Sequence, residues 1–247
     1  SFDGGVFRFQ FSGENRLLAA LTTGALAVVD VAERAAVSQI ALASCMLLDV
    51  ASLDTPTAAV STNDGRVLLV DVQAEKSTRE WHAHALQWTN EPCEVWTCEQ
   101  LHGERALTAS GGEDGRMKVW DARVEGDTPV VIVKDFSAGV TFIRSLEDSR
   151  VLTGSYDQSI RLFDLRAPKE AVKTVETPGG VWHLEETASG GWMAACMYGG
   201  WMLLDGELEV LKSDEASGST LLYGAALSPS SDYMAYCTFN DKTLRTV

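Results

Sequence analysis

The segment Trp81–Trp96, with the sequence WHAHALQWTNEPCEVW, holds more groups that could do chemistry than any other window of the 247-residue chain. Glu94 is the first candidate for a general base and His84 the second, because a carboxylate or an imidazole can take a proton from an attacking water. Trp96 follows Glu94 by two residues and adds an aromatic face. The segment therefore predicts acid–base chemistry beside an aromatic surface.

Two more aromatic residues stand at positions equivalent to Trp96 in later parts of the chain. They are Trp182, in the sequence GGVW, and Tyr223, in the sequence LYGA. Together with Trp96 and Glu94 they would form an acidic, aromatic pocket that suits a quaternary ammonium group through cation–π attraction. Each ring taken alone is more often a packing residue, so pocket and packing both remain interpretations at this point.

Cys196 is the covalent alternative, since a thiolate can attack a carbonyl carbon. The chain has five cysteines and four histidines, without a CxxC pair or a zinc-ligand spacing, which favours reduced thiols and predicts neither a metal site nor a cofactor. Core packing is the favoured interpretation of Cys196. Asp157 is a third and weaker candidate base, because its place in a tight turn already explains it.

A repeat must position these residues. GGEDGRMKVWDAR (Gly111–Arg123) is echoed 43 residues later by GSYDQSIRLFDLR (Gly154–Arg166), and each copy passes from small residues through a turn acid to a strand that ends in an aromatic residue and Asp. The closing aspartates, with spacings of 41, 50, 43 and 41 residues, are Asp30, Asp71, Asp121, Asp164 and Asp205. A degenerate copy, Tyr236–Val247, makes six repeats. The pattern predicts an all-β fold, a WD-repeat β-propeller.

The repeats predict one propeller domain over residues 1–247, with blades at approximately 5–45, 46–85, 86–135, 136–178, 179–218 and an incomplete 219–247. Because such propellers most often close with seven blades, we expect the chain to be a fragment of a seven-bladed propeller. His84 stands where WD repeats commonly carry a structural histidine bonded to a turn aspartate, which favours a scaffolding role. Glu94 and Trp96 precede the innermost strand, whose ends line the mouth of the central channel.

Composition limits the classes of function. The formal charge of −15 makes nucleic-acid binding unfavourable and favours a cationic partner, although surface acids also serve solubility alone. No segment has the roughly 20 continuous apolar residues of a membrane span, so we expect a soluble protein without a membrane partner. The signatures GxSxG, HExxH, P-loop and dinucleotide fingerprint are missing from the sequence. The Asp-Gly pairs at Asp64 and Asp114 predict hairpin turns.

The stretch GGVWHLEETASGGWMAACMYGG (Gly179–Gly200), together with the two strong repeats and LYGAALS (Leu222–Ser228), resembles the diphthine methyltransferase family of WD-repeat proteins. The resemblance covers roughly Val60–Val247. It implies a diphthine methylesterase, a cytoplasmic carboxylic ester hydrolase that is monomeric at full length. Such an enzyme hydrolyses the methyl ester of the diphthine intermediate on elongation factor 2, giving diphthine and methanol in diphthamide biosynthesis. The trimethylammonium group of that substrate suits the predicted pocket.

Two non-catalytic functions compete with this one. Most WD-repeat propellers only bind, so the chain could serve as an interaction scaffold or substrate receptor. A reader of methylated lysine would use the same aromatic residues.

Overall fold

The computed structural model describes residues 2–52, 56–103, 106–230 and 232–247. These residues form β-strands and one five-residue 3-10 helix, Ala216–Thr220. The strands make six sheets in which neighbours along the chain are also neighbours in space; five sheets have four strands and the last has three. The predicted all-β propeller class, with six blades, is confirmed.

The chain divides into two compact units, Ser1–Val151 with Asp164–Glu170, and Leu152–Phe163 with Ala171–Val247. Blades one to three belong to the first unit, blades five and six belong to the second, and the division passes through blade four. The strands of blades one to three are β1 (Val6–Phe11), β2 (Arg16–Leu21), β3 (Ala25–Asp30), β4 (Ala35–Ala41), β5 (Leu47–Ala51), β6 (Thr57–Thr62), β7 (Arg66–Asp71), β8 (Lys76–His82), β9 (Thr97–Gln100), β10 (Leu107–Gly112), β11 (Arg116–Asp121) and β12 (Val131–Val133).

The strands of blades four to six follow in the same order along the chain. They are β13 (Val140–Ser145), β14 (Arg150–Ser155), β15 (Ser159–Asp164), β16 (Lys173–Glu176), β17 (His183–Glu186), β18 (Trp192–Ala195), β19 (Trp201–Leu204), β20 (Val210–Asp214), β21 (Leu222–Leu227), β22 (Met234–Thr238) and β23 (Thr243–Thr246).

The second strands of several blades are almost wholly buried. Five of the six residues of β6 and of β10 are buried, and so are all four residues of β18. A short strand that is apolar or small on both faces is typical of a strand covered on both sides, and blades gain stability by stacking on their neighbours. The fourth strands β4 and β8 are mostly exposed. The Asp-Gly pairs form the predicted turns, with φ of 90° at Gly65 and 67° at Gly115.

A buried chain of hydrogen bonds joins blades two and three. His84 Nδ1 lies 2.8 Å from Asp114 Oδ1, and its Nε2 lies 2.8 Å from Ser110 Oγ, which also accepts the indole N–H of Trp120 at 2.8 Å. Burial lowers the pKa of His84 in spite of the neighbouring Asp114 carboxylate, so the ring is neutral. The neutral ring donates through Nδ1 and accepts from Ser110 through Nε2. Trp120 also stacks on Trp81, with ring centroids 5.8 Å apart.

A second polar cluster joins the first strands of the first unit. The Arg8 guanidinium donates to Asp49 Oδ2 at 3.4 Å and to the backbone oxygens of Trp96 at 3.1 Å and Thr141 at 2.9 Å. Glu99, on β9, is 5% exposed and accepts the Ser145 N–H at 3.1 Å. Burial raises the pKa of Glu99 to about 7, against the attraction of Arg144 and helped by the repulsion of Asp49.

None of the described residues forms a helix with the length and apolar composition that a membrane span requires.

The histidine pair His82 and His84 tests the buried network. Replacing His84 by alanine removes one hydrogen-bond partner from each of the buried Asp114 and Ser110 side chains, so we expect His84→Ala to lower the free energy of unfolding by about 2–4 kcal/mol. His82→Ala is the matched control, because its side chain is 76% exposed although its Nδ1 lies 2.9 Å from Asp127. Its cost should stay below about 1 kcal/mol. Urea unfolding measures both, and equal losses would contradict the structural role of His84.

Glu99 makes stability depend on pH. Its pKa is about 7 in the folded chain against the ordinary value of 4.5, so between these values the folded state binds more protons than the unfolded state. The free energy of unfolding should therefore fall as pH rises through this window. Glu99→Gln keeps an oxygen for the Ser145 N–H and should be more stable than the wild type at pH 8, by on the order of 2 kcal/mol, but not at pH 4.5. Urea titrations at both pH values measure the difference, and a pH-independent difference would contradict this account.

Candidate functional site

Glu94 and Trp96 lie in the segment between β8 and β9, and the surrounding backbone fixes this segment at several points. Cys93 N–H donates to the His84 carbonyl at 3.3 Å, and Val95 N–H donates to the Thr62 carbonyl at 3.0 Å. The Glu94 carbonyl accepts the Glu113 N–H at 2.9 Å. The half-buried Glu94 side chain is thus carried on an anchored stretch of backbone.

The Trp96 ring is held by a carboxylate that the sequence analysis did not single out. Its indole N–H donates to Glu113 Oε2 at 2.6 Å, while its backbone oxygen accepts from Arg8. Glu113 directly precedes the turn acid Asp114. The first unit therefore joins the Glu113 carboxylate to the Trp96 indole ring, and the backbones of Glu113 and Glu94 are hydrogen-bonded to each other.

Four aromatic residues of the second unit form a continuous row, which we call the aromatic row: Tyr156, Trp182, Tyr223 and Phe239. Ring centroids are 6.0 Å apart between Tyr156 and Trp182, 4.9 Å between Trp182 and Tyr223, and 5.5 Å between Tyr223 and Phe239. The rings come from the turn after β14, the residue before β17, strand β21 and the residue after β22. Trp182 and Tyr223, both predicted, are in contact, whereas Tyr156 and Phe239 were not predicted.

A comparison of the repeats could have identified two of the residues that were not predicted, Glu113 and Tyr156. The position directly before the turn acid holds Glu113 in GGED and Tyr156 in GSYD. Each of these residues contacts one of the predicted tryptophans, Glu113 touching Trp96 and Tyr156 touching Trp182. The turn position next to the acid is therefore a recurrent neighbour of the predicted aromatic residues.

Close glycine contacts set the backbone that leads to Trp182. A Cβ on Gly179 would lie 2.3 Å from the Cys196 carbonyl oxygen, and a Cβ on Gly199 would lie 2.3 Å from the Pro178 carbonyl carbon. Only glycine permits this approach of the two segments. The following Val181 and Trp182 N–H groups donate to Ser155 at 2.9 Å and Ala195 at 2.8 Å.

The outer side of the aromatic row is open. Phe239 is 60% exposed, and Tyr156, Trp182 and Tyr223 are each partly exposed. Burial raises the pKa of Tyr223, with a further contribution from the nearby Tyr198, so Tyr223 carries a neutral hydroxyl at pH 7. Partly exposed π-faces close together are the kind of surface that binds a quaternary ammonium group.

The other candidate residues, His84, Cys196 and Asp157, are either buried or already paired with another side chain. His84 is 3% exposed, with both ring nitrogens engaged in the buried network. Cys196 is fully buried directly after β18, and burial raises the pKa of its thiol to about 12. Asp157 pairs with Arg161 at 2.8 Å in its turn and also bonds Ser159. Glu94 and Trp96 belong to the first unit, and Trp182, Tyr223 and Cys196 belong to the second.

In the described part of the chain, no three His, Cys, Asp or Glu side chains form a group that could hold a metal ion.

Comparisons with known proteins agree with the repeat. The family model described as "WD domain, G-beta repeat" matches residues 76–121 and 128–164. A diphthine methyltransferase of Mus musculus is 32% identical over 156 residues, covering 56% of this chain and 31% of the mouse protein. The Homo sapiens diphthine methyltransferase is 28% identical over 190 residues, covering 70% of this chain and 40% of the human protein. The chain thus spans well under two thirds of these curated relatives.

Other similarities are shorter or structural only. A DDB1- and CUL4-associated factor 11 homolog of Caenorhabditis briggsae is 44% identical over 64 residues, covering 24% of this chain and 12% of that protein. Among solved structures, a chain in the crystal structure of a mitotic checkpoint complex superposes with a TM-score of 0.78 and 18% identity, covering 96% of this chain and 72% of that chain. This last similarity concerns the fold. The chain is a WD-repeat β-propeller protein related in sequence to the diphthine methyltransferases.

Proposed function

We propose that this chain acts in diphthamide biosynthesis as a diphthine methylesterase, a cytoplasmic hydrolase that removes the methyl ester from the diphthine intermediate on elongation factor 2. The observation that carries the proposal is the aromatic row in a chain related to the diphthine methyltransferases. The substrate presents a trimethylammonium group beside the ester, and a tetraalkylated cation has no N–H to donate. Because this group cannot donate a hydrogen bond, a protein binds it through aromatic faces and nearby negative charge.

The net charge supports the same substrate. A formal charge of −15 attracts a cationic group and raises its concentration near the protein surface. Trp182 is at the middle of the row, within 4.9 Å of Tyr223 and 6.0 Å of Tyr156 by ring centroids, so its face is part of a surface wider than one ring. In this proposal Trp182 and Tyr223 bind the trimethylammonium group, and Tyr156 and Phe239 extend the surface. Trp96, which the sequence also assigns to substrate binding, belongs with Glu94 to the first unit, where Glu113 binds its indole N–H.

For the chemical step we propose that Glu94 acts as a general base. Its carboxylate takes one proton from a water molecule while the water oxygen bonds to the ester carbonyl carbon, and the negative charge moves to the former carbonyl oxygen. When this intermediate collapses, the bond to the methoxy oxygen breaks, and the proton held by Glu94 passes to that oxygen. The products are methanol and the carboxylic acid, which then loses its proton to solvent water, and the step needs no metal or cofactor.

The surroundings of the other candidates support water as the nucleophile. With its pKa at about 12, the Cys196 thiol holds a negligible thiolate fraction at pH 7. His84 has no free lone pair for a reacting proton, because Nδ1 donates to Asp114 and Nε2 accepts from Ser110. Glu113 is the partner of the Trp96 indole, and we assign it the positioning of that ring.

Methanol release from elongation factor 2 that carries methylated diphthine tests the activity, and Glu94→Gln tests the mechanism. We expect the wild-type protein to release methanol and Glu94→Gln to lower kcat by roughly 10²–10⁴, the usual effect of losing a general base, with little change in substrate binding. Glu91→Gln, an exposed carboxylate in the same segment, is the matched control and should retain activity. Cys196→Ala should also retain activity. An inactive Cys196→Ala beside an active Glu94→Gln would overturn the water mechanism.

The aromatic row is tested by Trp182→Ala. Loss of a cation–π face should weaken substrate binding by about 1–2 kcal/mol, seen as a KM roughly 5- to 30-fold higher, and Trp182→Phe should recover part of the loss. Trp88→Ala is the control, because Trp88 is 97% exposed and lies outside the row. The folded fraction, followed by circular dichroism, must stay unchanged. If Trp182→Ala misfolds while activity per folded molecule is normal, Trp182 is a packing residue and the binding role is wrong.

The second candidate is a non-catalytic substrate receptor, and the similarity to the DDB1- and CUL4-associated factor 11 homolog favours it. The same assay separates the two functions. A receptor would bind partners without releasing methanol, whereas transfer of a labelled methyl group from S-adenosylmethionine to elongation factor 2 would indicate a methyltransferase instead. A preference for methylated histone peptides over elongation factor 2 would indicate a methyl-lysine reader.

A further inference from the structure

A cavity in the first unit lies apart from Glu94 and Trp96, where strand ends of blades three and four meet. Its volume is about 190 Å³. The apolar side chains that line it are Leu101, Leu107, Val119, Val130, Val131 and Leu165. An apolar cavity of about 150 Å³ can enclose a benzene ring, so this one has room for one large side chain such as Leu, Met or Phe.

Arginine supplies the charge at the cavity. Among the described residues that line it, the charged ones are Arg150 and Arg166, and the remaining lining residues are His102, Ser145 and Ser149. Both arginine side chains reach the surface, with Arg166 68% exposed. Arg166 is paired with Asp164 and is also influenced by Asp148, so Arg150 is the main positive charge at the edge of the cavity, in a chain whose net charge is −15.

The Arg166 guanidinium is held in place before any ligand arrives. Its Nε donates to Asp164 Oδ1 at 2.8 Å and its Nη2 donates to Asp164 Oδ2 at 2.6 Å. This bidentate geometry fixes the plane of the guanidinium, which still has further N–H donors. Fixing the side chain in advance lowers the entropy cost of a later contact.

The geometry points to a docking site for an acidic protein segment that inserts one apolar side chain into the cavity and sets a flanking carboxylate against Arg150 or Arg166. Val130, 49% exposed at the edge, gives the inserted residue apolar surface that is now in contact with solvent. The carboxylate gains charge-assisted hydrogen bonds. Because Arg166 already shares its charge with Asp164, Arg150 is the main charge that favours an acidic over a basic segment. This inference does not depend on the proposed esterase activity.

Blade three provides a matched control for the arginines. Arg123 makes the same bidentate contact to Asp121, with Nε to Oδ1 at 2.9 Å and Nη2 to Oδ2 at 2.7 Å, and is 64% exposed. Arg123 does not line the cavity. Reversing its charge therefore changes the general electrostatics of the protein by the same amount without changing the proposed site.

The test uses blocked synthetic peptides with a Glu-X-Glu core, where X is Leu, Met or Phe, titrated into the ¹⁵N-labelled full chain. We expect saturable amide shifts at the lining residues. Arg150→Glu and Arg166→Glu should each weaken binding by roughly tenfold or more, while Arg123→Glu weakens it much less. Peptides with a Glu-Ser-Glu or Lys-Leu-Lys core should not bind there.

Several outcomes would overturn the inference. These are an absence of saturable shifts with every Glu-X-Glu peptide, equal losses in Arg123→Glu and Arg150→Glu, or equal binding of the Lys-Leu-Lys peptide. Concentration-dependent self-association that Val130→Glu abolishes would assign the cavity to a second copy of the chain. Arg166→Glu also removes the contact to Asp164, so circular dichroism is used to check that this variant is folded. Arg150→Glu does not remove that contact and tests the site independently.

Discussion

The buried hydrogen bond between His84 and Asp114 is the interaction on which the candidate catalytic segment depends. It fixes the end of blade two against the turn of blade three, and the Trp81–Trp120 stack lies beside it. After His84 the chain turns back, so that the Cys93 N–H donates to the His84 carbonyl. Glu94 is the next residue. A buried, neutral histidine joins two partners rigidly, because one ring nitrogen donates a hydrogen bond and the other accepts one.

Charge serves separate purposes in different parts of the molecule. The Glu113 carboxylate orients the Trp96 indole ring, and the Glu99 carboxyl is buried with its pKa raised to about 7. At the surface, Asp121 binds the Arg123 guanidinium and Asp164 binds the Arg166 guanidinium. The net charge of −15 is therefore mainly a long-range property that favours cationic ligands, whereas local recognition depends on which carboxylates are already engaged.

The aromatic row illustrates how repetition creates a binding surface. The four rings come from three blades, Tyr156 from blade four, Trp182 from blade five, and Tyr223 with Phe239 from blade six, at the start of a first strand or in the turn before a third. A single ring at such a position would serve packing. Four in sequence, with centroids 4.9 to 6.0 Å apart, give a continuous π-surface that is open to solvent on one side. The same repetition produces the two matched Asp–Arg contacts of blades three and four.

The sequence by itself determined the fold class, because the repeated turn acid and closing Asp set each strand and hairpin by local chemistry. It also supplied Trp182 and Tyr223 as candidates, since both stand at equivalent points of the repeat. Only the tertiary structure decided that they touch, that Glu113 binds Trp96, and that an arginine-rimmed cavity lies between two blades. These contacts join residues distant in sequence, and their geometry depends on how blades pack, which no local pattern encodes.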